Sequence, residues 1–253
     1  MIPSKEKYSE AIALWQEWNA KINVISRRDT DAIFEHHILH SLAIAEYCRR
    51  FHQFAGSVPP EGRHTRGAIA GGPSQRDGGV SPKGELPKVE QLPQTVLDLG
   101  CGGGFPGIPL AMEWPQVQFT ECDSIGKKVK VAQAVADGLG LKNVDCIQAR
   151  VEELPGTWDY VVSRAVAPLE TLYGWVRGKF SESLICLKGG DVNEEISLLL
   201  KRWGKGPDAV KAGQIRTWKI SEWIDDEYFA EKFVIEVGKS YLCSPFDEKY
   251  KNQ

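Results

Sequence analysis

The chain has 253 residues, a formal net charge of −3, and 42% hydrophobic and 26% charged residues. That composition fits one large or two small globular domains and carries no overall nucleic-acid footprint, so any RNA contact must come from local basic patches. No run of about 18 apolar residues occurs, so no transmembrane helix is expected, and the polar start Met1–Lys7 lacks a signal-peptide core, which points to the cytoplasm.

From Lys5 to about Ala20, Tyr8, Ile12, Trp15 and Ile22 recur at helical steps with Glu and Lys between them, predicting an amphipathic helix. A turn around Asn23 and Arg27–Asp29 follows. Asp29 or Thr30 can cap a second helix running through Phe34, Ile38, Leu42 and Ala45 to about Phe51. These make an N-terminal helical extension over residues 1–54. From 55 to 93, Gly, Pro, Ser, Gln and charged residues leave nothing to bury, so a flexible insertion is expected, its Arg63, His64, Arg66 and Arg76 allowing a functional arm.

Residues 94–253 then alternate. Strands are predicted at Thr95–Leu99, Val117–Cys122, Val144–Gln148, Tyr160–Ser163 and Ser183–Leu187. Helices are predicted at Ile108–Glu113, Lys127–Gly138, Leu169–Lys179 and Glu194–Trp203. Strands separated by helices imply an α/β fold with a mostly parallel, doubly wound sheet. Two late runs, about Ala212–Lys219 and Lys232–Val237, would pair antiparallel at its edge. The six cysteines include no C-x-x-C pair, so neither a zinc site nor a redox motif is indicated.

Val96 through Gly107 is the most informative stretch: an apolar run, the acid Asp98, a run of glycines and a proline that can open a helix. Glycines let a backbone turn tightly against a ligand, and the helix start behind them offers free N–H groups. Gly102, Gly104 and Gly107 also spell G-x-G-x-x-G, the dinucleotide pattern, which keeps an NAD-dependent dehydrogenase open as an alternative. Asp98 argues otherwise: an acid there repels a pyrophosphate and suits a ligand with a cationic end, such as S-adenosylmethionine.

Three further groups stand where strands end, and a fourth lies on the N-terminal helix. Asp123 closes the second strand, where an acid accepts ribose hydroxyls. Arg150–Glu153 follows the third strand and would lie over an adenine. Arg164 falls just after the fourth, in position to meet a cofactor carboxylate or a substrate guanine. His36, His37 and His40 share one helix; without a carboxylate at metal spacing no metal is expected, and one histidine pointing into the site is. Lys127, Lys128, Lys130, Arg27 and Arg28 can reach phosphates or serve as solvated charge.

Together these segments resemble the ribosomal small subunit methyltransferase G family, also called glucose-inhibited division protein B. The resemblance rests on Ile22–Ile25, His37–Leu39 with Ser41–Leu42, Asp98 through Pro109, Asp123–Lys128, Asn143 through Glu153, Ser163–Ala165 and Leu187–Gly189. It implies a Rossmann-like class I methyltransferase that uses S-adenosylmethionine to methylate N7 of a guanine in 16S ribosomal RNA, position 527 in the usual rRNA numbering. Its implied partner is 16S rRNA or the small subunit, with no membrane or metal, the enzyme acting as a monomer. Cofactor contacts would fall on Asp98, Gly100, Gly102, Gly104, Phe105, Asp123, Val151, Glu152 and Arg164. Asn23, His37, Arg164 and Lys188 would serve the reacting base, and Arg150 matches another polar position. The family commonly carries an acid where this chain has His40, and the 55–93 insertion is a second departure. Rival functions are methylation of another RNA or a small molecule, and a non-catalytic ribosome-assembly binder.

The chemistry agrees with the residues. Guanine N7 carries an in-plane lone pair and no proton, so its methylation is an in-line displacement that needs no general base. Proximity and alignment can supply about 7–11 kcal/mol, and Arg164 or Lys188 could contact O6.

Overall fold

A computed structural model describes residues 2–52 and 94–240; the expected 55–93 insertion lies outside the described residues. A 3-10 turn at Lys5–Tyr8 leads into helix α1, Ser9–Lys21. The second predicted helix begins differently from expectation. Neither Asp29 nor Thr30 caps it: the Asp29 carboxylate meets His36 Nδ1 at 2.8 Å, and Thr30 Oγ1 donates to Ser26 O. Instead the segment opens as a π-helical turn, Phe34–Leu39, and continues as α2, His40–Phe51. Such widened turns are rare and tend to re-aim side chains at functional sites.

The α/β alternation follows as the sequence predicts, with the bounds of the first and third strands matched and the others shifted by at most three residues. Strands are β1 (Thr95–Leu99), β2 (Gln118–Asp123), β3 (Val144–Gln148), β4 (Trp158–Arg164), β5 (Phe180–Gly189), β6 (Ile215–Lys219) and β7 (Lys232–Gly238). Helices are α3 (Gly107–Glu113), α4 (Gly126–Gly138), α5 (Leu169–Val176) and α6 (Val192–Trp203). The seven strands run in the order β3-β2-β1-β4-β5-β7-β6. The first five are parallel; β7 enters antiparallel beside β5, and β6 pairs with β7 at the edge of the sheet among the described residues. Because β7 runs backwards, its first residue, Lys232, pairs with Gly189 at the end of β5. The start of β7 is thus delivered to the carboxyl edge of the parallel strands, where open α/β sheets bind ligands.

Apolar residues cover both faces of the sheet. One cluster joins α1, α2, α3 and α4 to the face carrying Val96 and Phe119; the other joins α5 and α6 to the face carrying Leu97, Val161 and Leu184. The N-terminal helices share their core with the sheet: Tyr8, Trp15, Ile38 and Tyr47 are fully buried in the first cluster. Trp15 also reaches the glycine turn, donating from Nε1 to Gly103 O at 2.7 Å and stacking on Phe105 with 4.2 Å between ring centroids. Asn19 Oδ1 accepts from the backbone of Val24 and Ile25, which places Val24 over Gly103.

Candidate active site

The glycine turn is tied to the strand next door. Gly100 N and Cys101 N both donate to Cys122 O, at 2.8 and 3.1 Å, and Gly102 N donates to Asp123 Oδ2 at 3.1 Å. Gly100 has φ +71°, and a Cβ there would lie 2.4 Å from Val166 Cγ2, so a side chain is barred by both backbone and space. Ser163 Oγ donates to Leu99 O at 2.9 Å, pinning the end of β4 to the end of β1.

These contacts shape a cavity of about 860 Å³ at the carboxyl edge of the sheet. Of the residues the sequence singled out, Gly100, Gly102, Phe105, Asp123, Val151, Glu152, Arg164, Lys188 and His37 line it together, as do Lys128, Arg150 and His40. Three do not. Asp98 is fully buried beneath the turn, where its Oδ2 accepts from Gly107 N at 2.7 Å and anchors the start of α3. Gly104 is filled against Ile108, on which a Cβ would clash at 2.3 Å. Asn23 is exposed, and its neighbour Val24 lines the cavity instead.

Asp123 spends one hydrogen bond from each oxygen on the turn and on Ile125 N, at 3.1 and 2.8 Å. A carboxylate has about four lone-pair positions, so capacity remains for hydroxyl donors.

Arg164 is held on three sides. Its Nη2 contacts His37 Nδ1 at 2.9 Å, its Nη1 donates to His36 O at 3.3 Å, and the guanidinium lies over the Phe105 ring, 5.0 Å from the centroid. A guanidinium only donates, so His37 Nδ1 accepts and the neutral imidazole carries its proton on Nε2. Burial first, and then the Arg164 charge, push the His37 pKa down to about 3. Burial likewise holds His40 well below its ordinary value. Both histidines are therefore neutral at physiological pH. Burial lowers Arg164 to about 10, which leaves it cationic. Ala165, immediately after it, has φ +55°, a left-handed conformation uncommon for alanine, at the bend that returns the chain across the cavity.

Lys188, at the end of β5, is nearly buried and already engaged. Its ammonium donates to Ala167 O at 2.6 Å and pairs with Glu195 at 2.9 Å; Glu195 in turn accepts from Leu169 N at 2.7 Å. Lys188 thus clamps the loop after β4. His36 stacks on Tyr228, 3.8 Å between centroids and 8° between planes. Among the described residues no group of three or more His, Cys, Asp or Glu is arranged to hold a metal ion, and no helix is long and apolar enough to cross a membrane.

Sequence reasoning missed Glu121, Glu195, Tyr228 and Lys232. Glu121 had a signal: an acid in the middle of a strand-like run, in register with Asp98. Nothing in the local sequence marks Tyr228, which reaches the site only because β7 reverses direction.

The strand order and the cavity at the glycine turn define a Rossmann-like methyltransferase of class I. A family model described as rRNA small subunit methyltransferase G matches residues 85–210. A ribosomal RNA small subunit methyltransferase G from Christiangramia forsetii is 34% identical over 246 residues, covering 93% of this chain and 90% of the relative. One from Bacteroides fragilis is 38% identical over 241 residues, 92% of each chain. The chain belongs to the rRNA small subunit methyltransferase G family. Among solved structures it is similar to a SAM-dependent O-methyltransferase from Thermotoga maritima, with a TM-score of 0.46 at 14% identity, covering 60% of each chain.

Proposed function

We propose that this protein transfers a methyl group from S-adenosylmethionine to N7 of a guanine in 16S ribosomal RNA of the small subunit, acting in the cytoplasm as a monomer. The observation that carries the reading is the convergence of the glycine turn, Asp123 and the Arg164–His37 contact on one cavity whose histidines are neutral. Family membership disfavours the dehydrogenase alternative and selects the RNA substrate class.

The residues present fit the cofactor. Gly102 leaves open space for a ligand against the backbone, and Gly100 takes the left-handed turn beneath Val166 that sets it there. Asp123 keeps lone pairs for ribose hydroxyls, Val151 and Glu152 line the side reserved for the adenine, and Arg164 offers a cation to a carboxylate. Asp98 supports this by fixing the first amide of α3 rather than by touching the ligand. When bound, S-adenosylmethionine supplies an electrophilic methyl group on a sulfonium.

The chain's own residues then have a positioning task. N7 has no proton to remove, so no group in the site has to act as a base, and His37 is spent as an acceptor for Arg164. Arg164 is locked in one orientation by His37, His36 O and Phe105, which suits alignment of the reacting partners. Lys188 and Glu195 hold the bend after β4, whose Ala165, Val166 and Ala167 wall the cavity. The rim carries the exposed Arg150, with Lys128 beside Asp123 at 4.0 Å, and these can meet phosphates.

The test is transfer of labelled methyl groups to small subunits from a strain lacking this modification, followed by mapping of the modified base. Label on N7 of one 16S guanine is the expected result. Label elsewhere, or on no RNA while the cofactor binds, refutes the substrate or reduces the protein to a binder. Titration with S-adenosylmethionine and with NAD tests the dehydrogenase alternative separately.

A further inference from the structure

We propose that the Tyr228 ring is the platform on which the target base stacks, an inference that rests on the methyl-transfer reading above. Tyr228 lines the same cavity as the glycine turn and Arg164. One face of its ring is closed by His36, parallel at 3.8 Å. Its edges meet His40 and Phe229 nearly at right angles, at 86° and 88°. The opposite face carries the Lys232 ammonium, 4.4 Å from the centroid. That lysine is the first residue of β7, on a long flexible side chain that a planar ring can displace.

The platform is rigid before any ligand arrives. The Tyr228 hydroxyl donates to His36 O at 3.1 Å, and its backbone N–H donates to Asp226 Oδ1 at 2.8 Å. His36 is itself held by Asp29. The same His36 carbonyl accepts from Arg164. One oxygen therefore fixes the distance between the ring and the cation at the end of β4, and so between the base and the place where the methyl group must be offered.

The ring also matches the charge change of the reaction. Guanine is neutral before transfer and cationic once N7 is methylated, and an aromatic face attracts cations. The Lys232 ammonium shows that this face accepts one. Stacking on Tyr228 thus grows stronger along the reaction coordinate, which is the kind of contact that accelerates the step rather than only holding substrate. Base–aromatic stacking is worth roughly a five- to hundredfold effect when the ring is removed.

Three variants and one wild-type measurement test this. Tyr228→Leu should slow single-turnover methyl transfer to small subunits by about tenfold or more, with affinity for S-adenosylhomocysteine unchanged. Tyr228→Trp and Tyr228→Phe should keep most of the rate, Phe losing only the tether. Short-wavelength cross-linking of wild-type protein to small subunits should join Tyr228 to the target nucleotide, and needs no variant to fold. A folded Tyr228→Leu variant with the wild-type rate, or cross-links that map to the target from other residues only, overturns the proposal. Wild-type protein that labels no guanine N7 would instead refute the methyl-transfer reading.

Discussion

Asp98 and Glu121 face each other in register across β1 and β2, both fully buried, under the first turn of α3. Gly107 lies directly above them: a Cβ there would fall 1.7 Å from Glu121 Oε1 and 2.9 Å from Asp98 Oδ2. Burial, reinforced by the neighbouring carboxyl, raises Glu121 well above the ordinary carboxyl range; burial also raises Asp98, against the pull of the Gly107 N–H. Burial and the nearness of two like charges together disfavour ionisation of both carboxyls at once.

A group whose folded-state pKa is raised contributes stability that is complete at low pH and lost as pH rises through the folded value. The pair's contribution should therefore grow as pH is lowered from about 8 toward 5, while the buried neutral His37 and His40 work the other way, because the unfolded chain's histidines protonate in that window. Glu121→Gln should remove the pair's share of the pH dependence, so that the variant gains less than wild type on going from pH 8 to pH 5, and should raise stability near neutral pH by about 1 kcal/mol or more, which is roughly 2–4 °C in Tm. Thermal unfolding across pH checks it; an unchanged slope would mean that the pair does not titrate.

Asp123→Ala should weaken cofactor binding by more than the loss of ribose contacts alone, because the Gly102 and Ile125 amides lose their acceptor. Each such hydrogen bond is worth about 0.5–1.5 kcal/mol net. Titration with S-adenosylhomocysteine against wild type gives the number. An affinity within twofold of wild type removes Asp123 from the site.

Arg164→Lys keeps a cation but cannot serve His37 and His36 O at once from a planar fork. Single-turnover methyl transfer should fall at least about tenfold in both Arg164→Lys and Arg164→Ala, or about 1.4 kcal/mol of transition-state stabilisation. A drop in cofactor affinity assigns Arg164 to the cofactor carboxylate; unchanged affinity assigns it to the guanine. Wild-type transfer by the lysine variant would show that charge alone matters.

With His37 pushed down to about 3, its imidazole stays neutral from pH 5 upward. The single-turnover rate at saturating cofactor should show no step near pH 6.5, and nitrogen NMR should find the His37 proton on Nε2. A rate step that disappears in His37→Gln would place His37 in proton chemistry instead.

Much of this was legible in the chain itself. The parallel strands, the antiparallel edge and the glycine turn follow from local periodicity and glycine placement, which single segments reveal. What single segments hide is who meets whom. Asp98 has the residue type of a ligand anchor, yet its side chain lies on the α3 face and is buried there. Asp29 has the residue type of a helix cap, yet it is drawn to His36 once the helix opens with a wide turn. Tyr228 reaches the cavity only because a strand far along the chain enters the sheet in reverse.

The place of β7 in the sheet has a further consequence for the order in which the protein assembles as it is synthesised. β6 emerges first but, among the described residues, its only strand neighbour is β7, so it lacks that partner until Lys232–Gly238 has been made. The same insertion carries Lys232 to its final position, and Tyr228 precedes it by a few residues. A growing chain thus contains the turn around Gly100 and the Arg164–His37 partners well before it owns the aromatic ring beside them, so the stacking platform proposed for Tyr228 is added to a pocket whose other walls have already been made.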